Sequence, residues 1–310
     1  MTKGDTGMLG KLQSSIAGVA GGIGIASIAS GLGSIAASAG ETQDAINKLG
    51  ATTGKTGQEL TDLANRGKQL YQQGIGESIA DAINKTGLLQ KTLGDVFNAK
   101  EQDEFAKMAQ GIAKTYDLDF NEVIQKSRTF VKNFGLEGKE AMELVAIGAR
   151  DGANAQDDFF DTLDEYSQLI KTAGFDAQEF TSILTTGIQN GVRDTDKLAD
   201  ALKETQIRIK AGDFNTAFDG LTKSATESEK VYIQKIKNIA LNAQQGKISI
   251  KEALQLSAQE LTQGFEAGKI SESLRDQLII GLSGTPAEDI GGGLYTKILS
   301  GFGKDKEGLS

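Results

Sequence analysis

The sequence predicts an all-α protein: a multi-helix array of short capped helices, arranged as helical hairpins and preceded by a Gly/Ala/Ser-rich apolar helical segment. Three observations predict it. One proline, no tryptophan and 6% aromatics in 310 residues are too little turn and strand material for a β-sandwich or barrel. Apolar residues recur at three- and four-residue steps along most of the chain. Between those runs stand Gly, Asp, Ser or Thr with a Glu shortly after, the marks of helix ends. The 39 glycines are too many for uninterrupted helices, so they are expected at helix ends and in a flexible N-terminal region. On this reading the chain divides into an apolar segment (1–50), a helical domain (51–285) and a flexible Gly-rich linker with a C-terminal tail (286–310).

From Leu12 to Gly40 no side chain is charged, a length compatible with a membrane span. Ser14, Gly18, Gly22, Ala26, Ser30 and Ser34 follow one another at four-residue steps and are all small, a pattern that lets helix backbones approach closely. Leu12, Ile16, Val19 and Ile23 make a second stripe. Three readings stay open: a helix packing on its own copies or other helices in water, membrane insertion, or a loosely ordered segment. Each glycine costs about 1 kcal/mol relative to alanine in an aqueous helix, so this segment needs a partner.

Glu41 to Leu49 predicts a short helix. Gly54-Lys55-Thr56 then imitates a phosphate-binding loop, but the required first glycine falls on Leu49 and no strand precedes it. Nucleotide binding is not expected; Thr56 and Glu59 read as a capping box. The turn recurs: Gly54 to Leu60, Gly135 to Ala141 and Gly174 to Phe180, with Asp117 to Val123 in the same form. Each begins with a residue suited to a left-handed turn. Five positions later a Glu meets the positive end of the next helix dipole.

Asp117, Asp119 and Asn121 begin like a calcium loop, but Glu122 stands where glycine is needed and Arg128 where a bidentate Glu is needed. The cluster Asp157, Asp158, Asp161, Asp164 and Glu165 has the carboxylates of a metal site. In the first turns of a helix such residues complement the dipole and stay in solvent, while Phe159, Phe160, Leu163 and Tyr166 supply the buried stripe.

Asp194 to Arg208 predicts a helix capped by Asp194, with Gly187 and Gly191 closing the helix before it. Leu198, Ala201, Leu202, Thr205 and Ile209 form one apolar face. Thr226 to Gln245 is a longer helix, with Val231, Ile233, Ile236, Ile239 and Ala240 as its apolar positions. Gly246-Lys-Ile-Ser249 and Gly268-Lys-Ile-Ser271 each open a helix, and Ser249 with Glu252 is a capping box. Pro286 begins a break, and Gly291 to Gly293 is flexible.

Histidine and cysteine are absent, which removes disulfides, the usual zinc ligands, thiol nucleophiles and the commonest general base. No constellation of base, nucleophile and electrophile is present, so the chain is not expected to be an enzyme, and no cofactor or metal is expected. A net charge of −9 opposes tight binding to a phosphate backbone. No signal-peptide pattern is apparent, so export by the secretory route is not expected.

The string NGVRDTDKLADALKETQIR resembles a segment of phage tail tape measure proteins; Asp194, Asp196, Leu198, Ala201 and Leu202 are its family-like positions. DAINKLGATTGKTGQEL, LYQQGIGESIADAIN, DEYSQLIKTAGFDAQEF and GTPAEDIGGGLYTKIL are similar to the family too. The resemblance implies a chain packed in several copies in the tail lumen, setting tail length and assisting genome ejection across the host envelope. It implies as partners the tail tube protein, tail-tip and tail-terminator proteins, tail assembly chaperones and further copies of itself, with possible host membrane contact and phage DNA passing without specific binding. The implied location is the virion, with host cytoplasm during assembly and the host membrane on infection. As one straight helix, 310 residues span only about 465 Å at roughly 1.5 Å per residue. The expectation is therefore a segment of such a protein, or the member of a short-tailed particle. A stand-alone α-helical interaction module and a helical pore-forming protein are the alternative readings.

Overall fold

The computed structural model describes residues 39–301. Fourteen helices and no strand occur among the described residues, so the chain is all-α. It forms two compact units, one ending at Arg128 and the other beginning at Thr129. The expected helical domain, 51–285, thus spans parts of both. The small-residue positions Ser14, Gly18, Gly22, Ala26, Ser30 and Ser34 lie outside the described residues. No described helix is long and apolar enough to cross a membrane.

The first unit contains α1 (Ala39–Thr53), α2 (Gly57–Gln72), α3 (Ile79–Leu93), α4 (Ala99–Tyr116) and the beginning of α5 (Phe120–Phe134). Helix α3 packs against both α1 and α2, and Ile46, Leu49, Leu60, Ala64 and Ile83 form a shared core. Each Leu or Ile buried there contributes about 1.5–3 kcal/mol. A buried cation ties α2 to the start of α4. Arg66 donates to Asp103 Oδ1 at 2.7 Å, Gln102 Oε1 at 3.0 Å and the Ala99 carbonyl at 3.1 Å, which satisfies a charge that burial would otherwise penalise.

The second unit takes up the end of α5 and continues through α6 (Gly138–Arg150), α7 (Phe159–Ala173), α8 (Ala177–Gln189), α9 (Thr195–Ala211), α10 (Phe214–Thr222), α11 (Glu227–Gln244), α12 (Ile250–Glu266), α13 (Glu272–Ile290) and α14 (Gly292–Gly301). Helix α9 is its centre, with α7, α8, α11 and α13 packed around it; α14 lies on α12 and α13.

The connections use local chemistry that the sequence displays. Gly54, Asp117, Gly135 and Gly174 have φ of 68°, 55°, 72° and 102°, and Glu59, Glu122, Glu140 and Glu179 occupy the first turns that follow. In the two Gly-Lys-Ile-Ser turns, Lys247 N donates to Asn242 O at 2.9 Å and Lys269 N to Gly264 O at 2.8 Å, the closing bond of a left-handed helix end. Ser249 and Ser271 then cap the next helices through Glu252 N and Leu274 N.

The glycines divide differently from expectation. Several lie inside helices, where a neighbouring helix brings a large side chain onto bare backbone. A Cβ on Gly67 would sit 2.8 Å from Ile83 Cα, one on Gly264 2.6 Å from Tyr232 Cε1, and one on Gly281 2.8 Å from Phe218 Cε1. Gly148 lies under the Phe159 ring and Gly187 under Leu198 in the same way. A mid-helix glycine costs about 1 kcal/mol, and burying a Phe or Leu against it returns about 1.5–3 kcal/mol. Close approach wins.

Other expectations shift by a few residues. Helix α1 runs past Leu49 to Thr53 and stops at left-handed Gly54. Thr56 precedes α2 but caps nothing, and Glu59 instead pairs with Lys55 at 3.0 Å. Gly57, the first helical residue, has φ 56°, a conformation that does not fit a capping box. Gly187 does not close α8, which ends at Gln189 with Asn190 as its cap and left-handed Gly191 after that. Of the apolar positions on α11, Ile233, Ile236 and Ala240 are buried, but Val231 is 55% exposed. The break near Pro286 is at Gly284 (φ 71°, ψ −165°) inside α13; Pro286 falls in the first turn after it, where no amide is missed. The stretch from 286, expected as a linker, is helical to Ile290 and again from Gly292 to Gly301, broken only at Gly291 (φ 93°, ψ 118°), with Tyr295, Ile298 and Leu299 buried.

Candidate functional site

The family-like positions all lie at or on α9, whose two ends are fixed by different chemistry. Asp194 is extended (φ −146°, ψ 160°) and its side chain accepts from Lys197 N at 3.0 Å. Its other oxygen accepts from Arg193 Nε at 2.7 Å. This cap is what the sequence predicts.

A second carboxylate serves the same helix start. Asp158 makes no side-chain bond to α7, which it precedes. Instead Asp158 Oδ2 accepts from Thr195 N at 2.6 Å, Thr195 Oγ1 at 2.8 Å and Asp196 N at 3.0 Å. Beside it the Thr162 and Thr195 hydroxyls lie 3.0 Å apart, both buried. The expectation that the acidic cluster stays in solvent on its own helix therefore fails at Asp158. Free amides and the positive dipole end of α9 offer it better partners than water.

Asp196 is exposed, and its charge acts on the Tyr166 phenol. Burial first, and then the charges of Asp196, Asp200 and Glu165, hold the Tyr166 phenol well above its usual range. Lys203 bonds Asp200 at 2.9 Å and lies 5.5 Å from the centre of the Tyr166 ring; that hydrogen bond raises its pKa, against a smaller lowering by burial. Leu198, Ala201 and Leu202 are fully buried.

Along its length α9 holds the broken helix α13 in antiparallel alignment. Lys197 Nζ meets Asp289 Oδ2 at 2.7 Å, Thr205 Oγ1 bonds Ser283 Oγ at 2.7 Å, and Arg208 Nε and Nη2 both donate to the Gly281 carbonyl at 3.3 Å. The last contact serves a carbonyl near the end of the first half of α13, where the helix ladder is interrupted. The fully buried Tyr295 hydroxyl approaches Thr205 and Ser283, yet no bond in good geometry forms, and burial drives its pKa upward.

The chemistry of this arrangement is that of a joint. Most of its polar groups are spent on helix ends and on other helices, while Tyr295 Oη, Asp158 Oδ1 and Gln206 Nε2 lack a hydrogen-bond partner among the described residues. No group of three or more potential ligands for a metal ion occurs among the described residues. The sequence locates Asp194, Asp196, Leu198, Ala201 and Leu202 but misses Asp158, Arg208 and Ser283. Asp158 acts on a residue 37 positions away, and no local spacing announces that. In the first unit, a groove of about 980 Å³ runs between α3 and the α4–α5 turn. Its four lysines (48, 85, 91 and 114) are matched by Glu77, Asp81, Asp117 and Asp119, so it favours neither sign of ligand charge.

A family model described as phage-related minor tail protein matches residues 80–229, from the first turn of α3 to the first turn of α11. The matched stretch includes Asp158 and every family-like position on α9. No curated protein and no solved structure matches the chain. Over residues 80–229 the chain is similar to phage tail proteins, and the match supports a role in a phage tail.

Proposed function

We propose that this chain is a phage tail tape measure protein, or a segment of one, and that residues 39–301 serve it as compact helical bodies. The observation that carries the reading is the tail-protein match over 80–229, which encloses the tape-measure-like string at Asp194 to Arg208. In this reading the chain occupies the tail lumen beside the tail tube protein, tail-tip and terminator proteins and further copies of itself. Assembly chaperones hold it beforehand, and it leaves when the genome is ejected. It acts as a structural part, without catalysis. A net charge of −9 lets phage DNA pass without being held, because phosphate binding requires clustered cations.

A ruler must be extended, whereas helices of 9 to 19 residues folded back on one another are not. The fold thus favours a role in ejection over a role in length for these residues. The test is an in-frame deletion of residues 129–301 in the parent virus, followed by electron microscopy of its tails. The expected outcome is unchanged tail length with lost infectivity. Shortening by about 260 Å, at roughly 1.5 Å per residue, would make the stretch a ruler. Normal tails with normal infection would sink the tail reading of these residues.

A further inference from the structure

Where the two units meet along the chain there is no loop. The boundary between Arg128 and Thr129 falls inside α5, which runs unbroken from Phe120 to Phe134. The weakest part of that helix is at this point. Ser127 stands in the apolar stripe with Val123, Phe130 and Val131 and is fully buried. Ser127 Oγ is buried without a hydrogen-bond partner among the described residues, a cost of about 1–3 kcal/mol; Arg128 Nε is unpartnered too, although Arg128 Nη2 bonds Asp95 Oδ2 of the first unit at 2.9 Å. Each unit also has its own core: Leu49, Leu60 and Ile83 in the first, and the helices around α9 in the second.

From this we infer that the chain unfolds in two steps, the first unit opening before the second, with α5 breaking between Lys126 and Phe130. The order follows from size and core. The first unit has 90 described residues, 39–128, against 173 in the second, 129–301, and the fraction of surface buried on folding rises with size. The fully buried aromatics Phe130, Phe159, Phe180, Phe214, Phe218 and Tyr295 are in the second unit, with Phe105 in the first. Once residues 39–125 open, the start of α5 has nothing to pack on and frays to the unsatisfied Ser127, while the end of α5 stays tied to α7, where Asn133 Nδ2 donates to Ser167 Oγ at 2.6 Å and Lys171 Nζ to the Asn133 carbonyl at 2.7 Å. A protein with such a junction can shed the smaller part of its structure without losing the rest.

The experiment is hydrogen exchange by mass spectrometry on the intact chain through a urea series. The expected result is two transitions: peptides before residue 126 lose protection at lower urea than peptides after 130, and the first step has the smaller urea dependence. Trypsin added between the two midpoints should cut at Lys126 or Arg128 and leave a protected C-terminal fragment. Leu60→Ala should lower only the first midpoint, and Phe180→Ala only the second. One transition in which all peptides lose protection together overturns the inference. So does either variant moving both midpoints equally. The wild-type exchange series decides the matter even where a variant fails to fold.

Discussion

Asp158 Oδ2 lies 2.6 Å from the backbone nitrogen of Thr195 and 2.8 Å from its hydroxyl. A residue expected to stay in solvent at the start of its own helix thus caps α9. With Asp194 bonded to Lys197 N in the same turn, two carboxylates serve the start of α9. Replacing an N-cap acceptor by alanine costs about 0.5–2 kcal/mol. Asp158→Ala should fall at the upper end of that range, because it removes the acceptor of two backbone amides and of the buried Thr195 hydroxyl at once. Asp158→Asn keeps a neutral acceptor and should lose less. Urea midpoints decide; equal midpoints for Asp158→Ala and wild type would refute the assignment.

Alanine in place of helical glycine should have opposite signs at two classes of site. Gly111 in α4 has open space around it, so Gly111→Ala should stabilise by up to about 1 kcal/mol through helix propensity. Gly148 and Gly187 lie beneath Phe159 and Leu198, and alanine there should destabilise by about 1–3 kcal/mol through overpacking. Melting temperatures of the three variants test this. A rise at all three would mean that the contacts are looser than described.

The buried bond between Thr205 and Ser283 should show as coupling. Thr205→Val leaves the Ser283 hydroxyl without its partner, at about 1–3 kcal/mol. Combined with Ser283→Ala, the loss should be smaller than the sum of the single losses. A double-mutant cycle with no coupling energy would show that the two hydroxyls do not depend on each other.

Alkaline pH should weaken the second unit through two of the five tyrosines. Burial raises the pKa of both Tyr166 and Tyr295. Below the unfolded phenol value of about 10, both states carry the proton and stability is full. Above it only the unfolded state releases the proton, so stability falls as pH climbs. Urea midpoints should fall progressively as pH rises past about 10, and Tyr166→Phe combined with Tyr295→Phe should flatten that drop. A profile unchanged by the double variant would place the loss elsewhere.

Much of the fold was legible because it is local. The left-handed turns at Gly135 and Gly174, the caps at Asp194 and Ser249, and the stripe of Phe159, Leu163 and Tyr166 are each written within a few residues. What was hidden depends on distant partners. Gly148 needs Phe159, and Gly281 needs Phe218; neither glycine differs in sequence from one that ends a helix. The unit boundary was hidden for the opposite reason: residues 126–130, Lys-Ser-Arg-Thr-Phe, contain no Gly or Pro, and the helix passes through without interruption.

The antiparallel alignment of α9 and α13 also decides how the pair responds to force. The start of α9 at Lys197 and the end of α13 at Asp289 lie together, so tension applied to the flanking chain pulls both helices at the same end. Contacts loaded in this way open in series, as in a zipper, and never all at once as in shear. Lys197–Asp289 should part first, Thr205–Ser283 next, and the grip of Arg208 on Gly281 last. A chain drawn out lengthwise would meet many small resistances in turn in place of one large one.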